Sequence, residues 1–104
     1  MPFSEEGQKF FNKRYYLFSK FDGGIKLDEE SWYSVTPEEI SKHIARRVSD
    51  VFGDNKAIVM DAFCGCGGNT IQFGKKSKKV IAIDIDETKA DYAKYNSAIY
   101  YVQD

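Results

Sequence analysis

The segment DAFCGCGGNT, residues 61–70, combines an acid, two cysteines and three glycines directly after the apolar residues 57–60. Glycine has no Cβ, so this segment can bring its backbone close to a ligand. The unpaired N–H groups at the start of a following helix would face the same ligand. The segment therefore predicts a ligand-binding loop, and the acids around it indicate which ligand.

The two cysteines of this loop, Cys64 and Cys66, are the only ones in the chain. A disulfide across one intervening residue would be strained, and two thiols cannot complete a zinc site. The sole histidine, His43, lies about 20 positions upstream. We therefore expect reduced cysteines that act as small turn residues, and no metal site.

A second acid, Asp84, follows the apolar run VIAI, 19 positions after Gly65. A carboxylate at this place is suited to accept hydrogen bonds from both hydroxyls of a ribose. Asp61 would repel a pyrophosphate, Thr70 replaces the third glycine of the dinucleotide fingerprint, and no Gly-Lys-Ser/Thr follows. These features favour a cationic, phosphate-free ligand, S-adenosylmethionine (SAM), over NAD or FAD and over a purely structural turn.

The bulk composition is that of a folded domain. The 104 residues are 42% hydrophobic and 15% aromatic, with a net charge of −1. No apolar run approaches the roughly 20 residues of a membrane span, and the start lacks the apolar region of a secretory signal, so we expect an intracellular protein without membrane contact. Basic residues concentrate at 9–20 and 75–79. We interpret both stretches as solvated surface, because neither is dense enough to indicate nucleic-acid binding.

The N-terminal third predicts short helical structure and one long helix. Residues 5–13 fit a helix, and Gly23 and Gly24 suit a turn with positive φ. Thr36 as N-cap, Pro37 at the first helical position and Glu39 three residues after the cap predict a helix that Gly53 ends. Its apolar residues repeat on one face, as in an amphipathic helix: Ile40, Ile44, Val48, Val51 and Phe52.

The remaining chain alternates between strand and helix patterns. Strands are predicted at 56–60, buried on both faces, and at 78–86, and a third begins at 99–102. Helices are predicted at 68–75 and at 86–98, the latter capped by its first residue, an aspartate. This order predicts a doubly wound α/β sheet with parallel strands, which binds its ligand beyond the carboxyl ends of the strands.

Three stretches closely resemble the trimethylguanosine synthase family: RYYLFSKFDGGIKLDEESWYSVTPEEISKHIA, DAFCGCGGNTIQF and VIAIDID. The resemblance runs from about residue 8 to residue 96, and its first stretch is not part of the general methyltransferase pattern. It implies a class I SAM-dependent methyltransferase, with a helical lobe at 1–35 and the first part of a Rossmann-like core at 36–104. It also implies methylation of guanine N2 in the m7G cap of small nuclear and nucleolar RNAs, in the nucleus and nucleolus with some protein in the cytoplasm.

The resemblance carries roles over to individual residues. The cofactor-binding positions of the family match Asp61, Gly65, Gly67, Asn69 and Asp84, with Thr36 and Phe18 nearby. The substrate-binding positions match Lys9 for the cap phosphates, and Ser34 and Asn96 near the methylated guanine. Structural explanations stand beside four of these roles, namely the N-cap for Thr36, lobe core for Phe18, a solvated side chain for Lys9 and a helix end for Asn96.

The segment that performs the chemistry in this family, Asp/Asn-Pro-Pro-aromatic after the fourth strand, does not occur here. The only prolines are Pro2 and Pro37. A complete class I core needs about seven strands and more than about 150 residues. We therefore expect a truncated portion of an enzyme, inactive alone and monomeric when complete, that acts on m7G-capped RNA. Two alternatives are a guanine-N2 methyltransferase of rRNA or tRNA, and a non-catalytic SAM- or RNA-binding module.

Overall fold

The computed structural model describes residues 5–101, which form a mixed α/β structure. None of the helices in this range combines the length and the apolar character needed to cross a bilayer. In chain order the elements are α1 (Glu5–Phe11), α2 (Arg14–Leu17), a 3₁₀ turn (Phe21–Gly23), α3 (Glu29–Ser34), α4 (Glu38–Phe52), β1 (Ile58–Asp61), α5 (Gly68–Lys76), β2 (Lys79–Ala82) and α6 (Glu87–Tyr101).

The two strands form a parallel pair connected through α5. Val59 pairs with Val80 and Asp61 with Ala82, so both carboxyl ends lie at the same edge. This arrangement confirms the predicted strand–helix–strand unit, although both strands are shorter than the sequence pattern suggested. The loop after β1 and the loop after β2 consequently lie side by side, where parallel sheets bind ligands.

The hydrophobic core joins the N-terminal helices to the later ones. Its buried members come from the end of α2 and the residues that follow it, from α5 and from α6: Leu17, Phe18, Ile25, Ile71 and Tyr100. The partly buried Trp32 and Val35 of the α3 region pack against it. One core therefore crosses the boundary that the sequence predicts between residues 35 and 36.

The sheet has one covered face within residues 5–101. Val59 and Val80 are partly buried on the side of α5, and Asp61 on the same face bonds to α5. On the other face Ile58 is 65% exposed and Met60 62%. The expected strand buried on both faces is thus wrong for this part of the chain, because the described elements cover β1 from one side only.

Helix α4 differs from its prediction in two respects. Pro37 has extended ψ (146°) and is the N-cap itself, so the helix begins at Glu38 and Thr36 is not its cap. The face that packs on α5 is small and polar, while the apolar stripe is turned outward, with Val51 75% exposed. Small side chains allow two helices to approach closely, which explains the buried Ser41, Ala45 and Ser49. The buried Glu38 instead accepts hydrogen bonds from Ser19 and Tyr100.

Helix α6 is longer than predicted, since residues 99–101 continue it instead of starting a strand. Tyr100 is buried against Phe18, and the Tyr101 hydroxyl donates to the Ile71 carbonyl. These contacts override the strand preference of aromatic and β-branched residues. Val102, the last residue of the predicted strand, lies outside the described residues. The predicted cap is confirmed, because the Thr88 N–H donates to Asp86 Oδ1 at 2.9 Å.

The prediction for the turn at Gly23 and Gly24 is wrong for one of the two glycines. Gly24 has a φ of 104°, but Gly23 is not in the left-handed region. A Cβ on Gly23 would lie 2.8 Å from Ile99 Cγ2. Gly23 therefore serves the close approach of α6, and only Gly24 serves the turn.

Candidate functional site

The loop between β1 and α5 depends on two glycines for different reasons. Gly65 has a φ of 53° and Gly67, the N-cap of α5, a φ of 98°. A Cβ on Gly67 would lie 3.1 Å from Ala93 Cα, whereas a Cβ on Gly65 would meet nothing within 4 Å. Gly67 thus lets α6 pack against the loop, and Gly65 leaves its side of the loop open to a ligand.

Asp84 joins the two loops at the carboxyl edge of the sheet. Its Oδ2 accepts a hydrogen bond from Gly65 N–H at 2.9 Å, and its Oδ1 accepts one from Asp86 N–H at 2.9 Å. These backbone hydrogen bonds, that from Asp86 first, lower the pKa of Asp84. The structure thereby brings Gly65 and Asp84 together and keeps the carboxylate ionised, with lone pairs left for further donors.

Asp61 lies at the end of β1, beneath the same loop. Its Oδ2 accepts a hydrogen bond from the Thr70 hydroxyl of α5 at 2.6 Å. No hydrogen bond from residues 5–101 engages its Oδ1. Thr70 therefore fixes the orientation of the carboxylate, and the second oxygen can receive a cationic or hydrogen-bonding group of a ligand.

A cavity of about 110 Å³ lies between the loop and the end of α3. Inside it Asn69 Nδ2 donates to Thr36 Oγ1 at 3.2 Å, so Thr36 supports the loop. Asn69 Oδ1 is buried and has no hydrogen-bond partner among the described residues. A buried unpaired amide oxygen is costly, which indicates that a donor from outside this part of the chain completes the site. The lining comprises Ser31, Ser34, Val35, Thr36, Phe63, Cys64, Gly65, Cys66, Gly68 and Asn69.

The two cysteines of the loop are free thiols that fill space between elements. Cys66 Sγ lies 3.0 Å from Ser31 Oγ and so links the loop to α3. Burial, together with the negative charges of Asp61 and Asp84, raises the pKa of Cys64 to about 11. A thiol with such a pKa stays protonated at neutral pH, which gives Cys64 a packing role and no nucleophilic one.

The sequence of this loop and its surroundings relates the chain to known proteins. Residues 56–104 match the model of a family described as RNA cap guanine-N2 methyltransferase. The chain is also 50% identical, over 99 residues, to the trimethylguanosine synthase of Schizosaccharomyces pombe. This chain is a homologue of the RNA cap guanine-N2 methyltransferases. The resemblance that the sequence predicted is thereby confirmed.

Other relatives of this methyltransferase homologue extend the comparison. It is 37% identical over 97 residues to the trimethylguanosine synthase of Saccharomyces cerevisiae, and 31% identical over 81 residues to an uncharacterized RNA methyltransferase of Bacillus cereus. The alignments cover 95%, 92% and 76% of this chain, in the order S. pombe, S. cerevisiae, B. cereus. The chain spans only 40%, 30% and 18% of those relatives' own lengths.

The residues predicted for substrate binding lie at three separate places of the methyltransferase homologue. Lys9 is exposed on α1, which packs on α3 through an edge-to-face contact of Phe10 with Tyr33. Ser34 ends α3 and lines the cavity at the loop, with its hydroxyl donating to the Glu30 carbonyl at 3.1 Å. The structure thus brings Ser34 to the candidate cofactor site, and it holds Lys9 on the neighbouring helix.

Asn96 lies inside α6, so its alternative explanation as a helix-end residue is wrong. It is fully buried, its Nδ2 donates to the carbonyls of Lys26 (2.8 Å) and Cys66 (2.9 Å), and its Oδ1 accepts from Lys26 N–H at 2.7 Å. Both amide hydrogens are used, so its side chain has no donor left for a guanine. These hydrogen bonds tie the glycine loop to the N-terminal region, and the predicted place of Asn96 near the guanine stays a prediction.

Phe18 is likewise a core residue in this structure. Its ring is 2% exposed and packs against Tyr100 at a centroid distance of 6.5 Å. The ring is therefore part of the core, and the predicted place of Phe18 near the cofactor stays a prediction. Its neighbour Ser19 donates its backbone N–H to Glu38 at 3.0 Å.

Sequence reasoning missed the groups that hold the site in place. Glu38 accepts hydrogen bonds from Ser19 N–H and from the Tyr100 hydroxyl, 62 positions away. No local pattern could have indicated this pairing. The bond from Thr70 to Asp61 had a weak signal, because Thr70 lies in the first turn of the helix that follows the acid.

Proposed function

We propose that the gene product carrying this chain is a SAM-dependent methyltransferase of guanine N2 in the m7G cap of RNA. The observation that supports this function best is the pairing of Gly65 N–H with the Asp84 carboxylate at the carboxyl edge of the sheet, in a homologue of cap methyltransferases. The proposed fold of the complete catalytic domain is the class I core. Its first strand–helix–strand unit is the part described above.

The loop fits SAM in three respects. Asp84 has lone pairs for the ribose hydroxyls, Asp61 has one oxygen for the positive charge of the methionine part, and Gly65 leaves space beside the backbone. The orphaned Oδ1 of Asn69 adds an acceptor that an amino group can satisfy. Bound SAM would supply a sulfonium-activated methyl group. The proposed cofactor residues are Thr36, Asp61, Gly65, Gly67, Asn69 and Asp84.

The cap would bind beside this loop. We assign Lys9 to the cap phosphates, since it is exposed on α1 and a lysine ammonium attracts phosphate as a point charge. Ser34 lines the cavity shared with Asn69, which suits a position near the guanine. Guanine N2 is a weak nucleophile, because its lone pair is delocalised into the ring. The contribution of these residues is therefore to hold the reactants at a fixed distance and angle. We propose that the substrate is the m7G cap of small nuclear and nucleolar RNAs and that the reaction takes place in the nucleus.

The direct test is a methyl-transfer assay with the complete gene product, labelled SAM and m7G-capped RNA. We expect label at guanine N2 of the cap, and none in the same RNA with an unmethylated cap. Label at an internal guanine of rRNA or tRNA would favour the alternative of a guanine-N2 methyltransferase that acts on those RNAs. Absence of label in every RNA would contradict an enzymatic function.

A variant tests the cofactor assignment separately. Asp84→Ala should weaken SAM binding about tenfold or more in calorimetry, since hydrogen bonds to a charged group contribute about 1.5–3 kcal/mol. Asp50→Ala is the control, because Asp50 is an exposed acid on α4, outside the cavity. Equal SAM affinity in the two variants would remove Asp84 from the site.

A further inference from the structure

A groove of about 150 Å³ lies between α4 and α5, away from the glycine loop. Its lining contains no acid, and four of the six residues are cationic: Lys42, Ala45, Arg46, Gln72, Lys75 and Lys76. Two more exposed lysines, Lys78 and Lys79, follow in the chain. Since the whole chain has a net charge of −1, this concentration of positive charge is local.

The acids of the described chain compensate only one of these cations. Lys42 forms ion pairs with Glu38 (3.4 Å) and Glu39 (3.2 Å). Within residues 5–101 no ion pair engages Arg46, Lys75 or Lys76, and Lys75 Nζ lies 5.2 Å from the centre of the Tyr100 ring. The positive charges of Arg46, Lys75 and Lys76 have no acidic partner among the described residues and repel each other across the groove. A bound anion would reduce this repulsion.

Helix electrostatics alone does not explain the groove. Lysines in the last turn of a helix are favoured by its dipole, and this accounts for Lys75 and Lys76. It does not account for Arg46, which reaches the same groove from the interior of α4. A guanidinium opposite two ammonium groups is the combination that grips phosphate oxygens, with Arg supplying a planar pair of donors.

We propose that this groove, lined by Arg46, Lys75 and Lys76, binds the backbone phosphates of the RNA downstream of the cap. The proposal rests on the proposed function, which supplies a ligand with a chain of phosphates attached to the methylated group. Helix α5 runs from the glycine loop at Gly68 to Lys76, about 12 Å along its axis. An RNA held by its cap at the loop would reach the groove within a few nucleotides. The groove thus adds affinity for RNA without reading its sequence.

The test compares two ligands of the complete gene product by fluorescence anisotropy, a cap dinucleotide and an m7G-capped single-stranded RNA of twenty nucleotides. The variant is Arg46→Gln with Lys75→Gln and Lys76→Gln. We expect about tenfold weaker binding of the capped RNA at low salt, and a slope of log K against log salt that is smaller by roughly 2, given about 0.7 per lost contact to a single strand. Binding of the cap dinucleotide should not change.

The single variant Lys76→Gln is compared with a control, Lys94→Gln. The control removes one exposed lysine from α6, outside the groove. Thermal melting of each variant shows whether the fold is retained. An equal loss for both ligands, or no loss for the capped RNA, would overturn the proposal. Binding to phosphatidylserine vesicles is measured in parallel. If the variant lost vesicle binding and kept its RNA binding, the proposal would also be overturned. An uncapped RNA of the same length tests the groove even if the gene product binds no m7G cap, so the two proposals can fail separately.

Discussion

The two faces of the β1–β2 sheet differ in what they contact. On the α5 side, Asp61 is bonded to Thr70, and Ile71 is 1% exposed in the core. On the opposite side Ile58, Met60 and Ile81 are 65%, 62% and 38% exposed. Isoleucine is thus buried on α5, the helix that covers one face of the sheet, and exposed on the other face of the sheet.

Both strands carry apolar side chains on both faces, which is the composition of a sheet that is covered on both sides. The described elements cover only one of these faces. Apolar side chains contribute to stability only where something removes them from water, at roughly 25 cal/mol per Å². The stability of the described part therefore depends on the α5 side, on the N-terminal region and on α6. The exposed face contributes little, and its apolar side chains are a place for association.

The largest effect on stability is expected for a truncation on the covered side, compared with a truncation on the exposed face. Ile71→Ala should lower the free energy of unfolding by about 3–4 kcal/mol, because it removes a fully buried side chain and leaves a cavity. Met60→Ala, on the exposed face, should cost less than about 1 kcal/mol. Urea denaturation of this 104-residue chain measures both values. Equal losses would show that the exposed face is covered in solution.

An intermediate effect is expected where a single side chain links three regions. Asn96→Ala leaves the N–H and carbonyl of Lys26 and the carbonyl of Cys66 without their partner, which should cost about 3 kcal/mol. Asn12→Ala is the matched control, since Asn12 is exposed and its side chain accepts one bond from Gln8. A loss at Asn96 no larger than that at Asn12 would mean that the backbone groups find other partners.

The smallest effect concerns a buried carboxylate on the covered side. Burial alone would raise the pKa of Glu38, but hydrogen bonds from Tyr100 and Ser19 and the charge of Lys42 outweigh it and lower the pKa. The ionised form is thus favoured by folding. Its contribution to stability is present above the ordinary glutamate pKa of 4.5 and is lost as the pH falls through the lowered value.

Tyr100→Phe keeps the ring and removes the hydroxyl that donates to Glu38. We expect a loss of about 2 kcal/mol at pH 7, as for a hydrogen bond to a charged group. The difference in the free energy of unfolding between this variant and the wild type should become smaller below pH 4.5, because protonated Glu38 gains less from the hydroxyl. Tyr16→Phe, at an exposed tyrosine, is the control in denaturation series at several pH values. A difference that is constant with pH would contradict the charged hydrogen bond.

Local sequence patterns predicted the parts of the fold that local interactions determine. The strand–helix–strand unit around Gly65 follows from short apolar runs and glycines, and Asp86 caps α6 through residues two and three positions ahead. The meeting of Asp84 with Gly65 follows from the parallel topology, because both stand at carboxyl ends. These predictions needed no knowledge of distant partners.

The wrong predictions share a dependence on distant partners. Residues 99–101 continue α6 because Tyr100 and Tyr101 find contacts on helices elsewhere in the chain, which strand propensity cannot anticipate. The orientation of α4 was decided by the small face that fits α5, and its apolar stripe gave the opposite indication. The hydrogen-bond partners of Asn96, 30 and 70 positions away, were likewise not indicated by any local pattern.

The link between Asn96 and Lys26 has a consequence during translation. Residues 17–27 are made before α6, because Asn96 and Tyr100, which bond to Lys26 and Lys20, follow these partners by 70 and 80 residues. Until α6 emerges, Leu17, Phe18 and Ile25 lack much of the packing that shields them from water. Nascent chains with exposed apolar surface are ready substrates for chaperones. Residues 17–27 therefore complete their native packing only after α6 has been made.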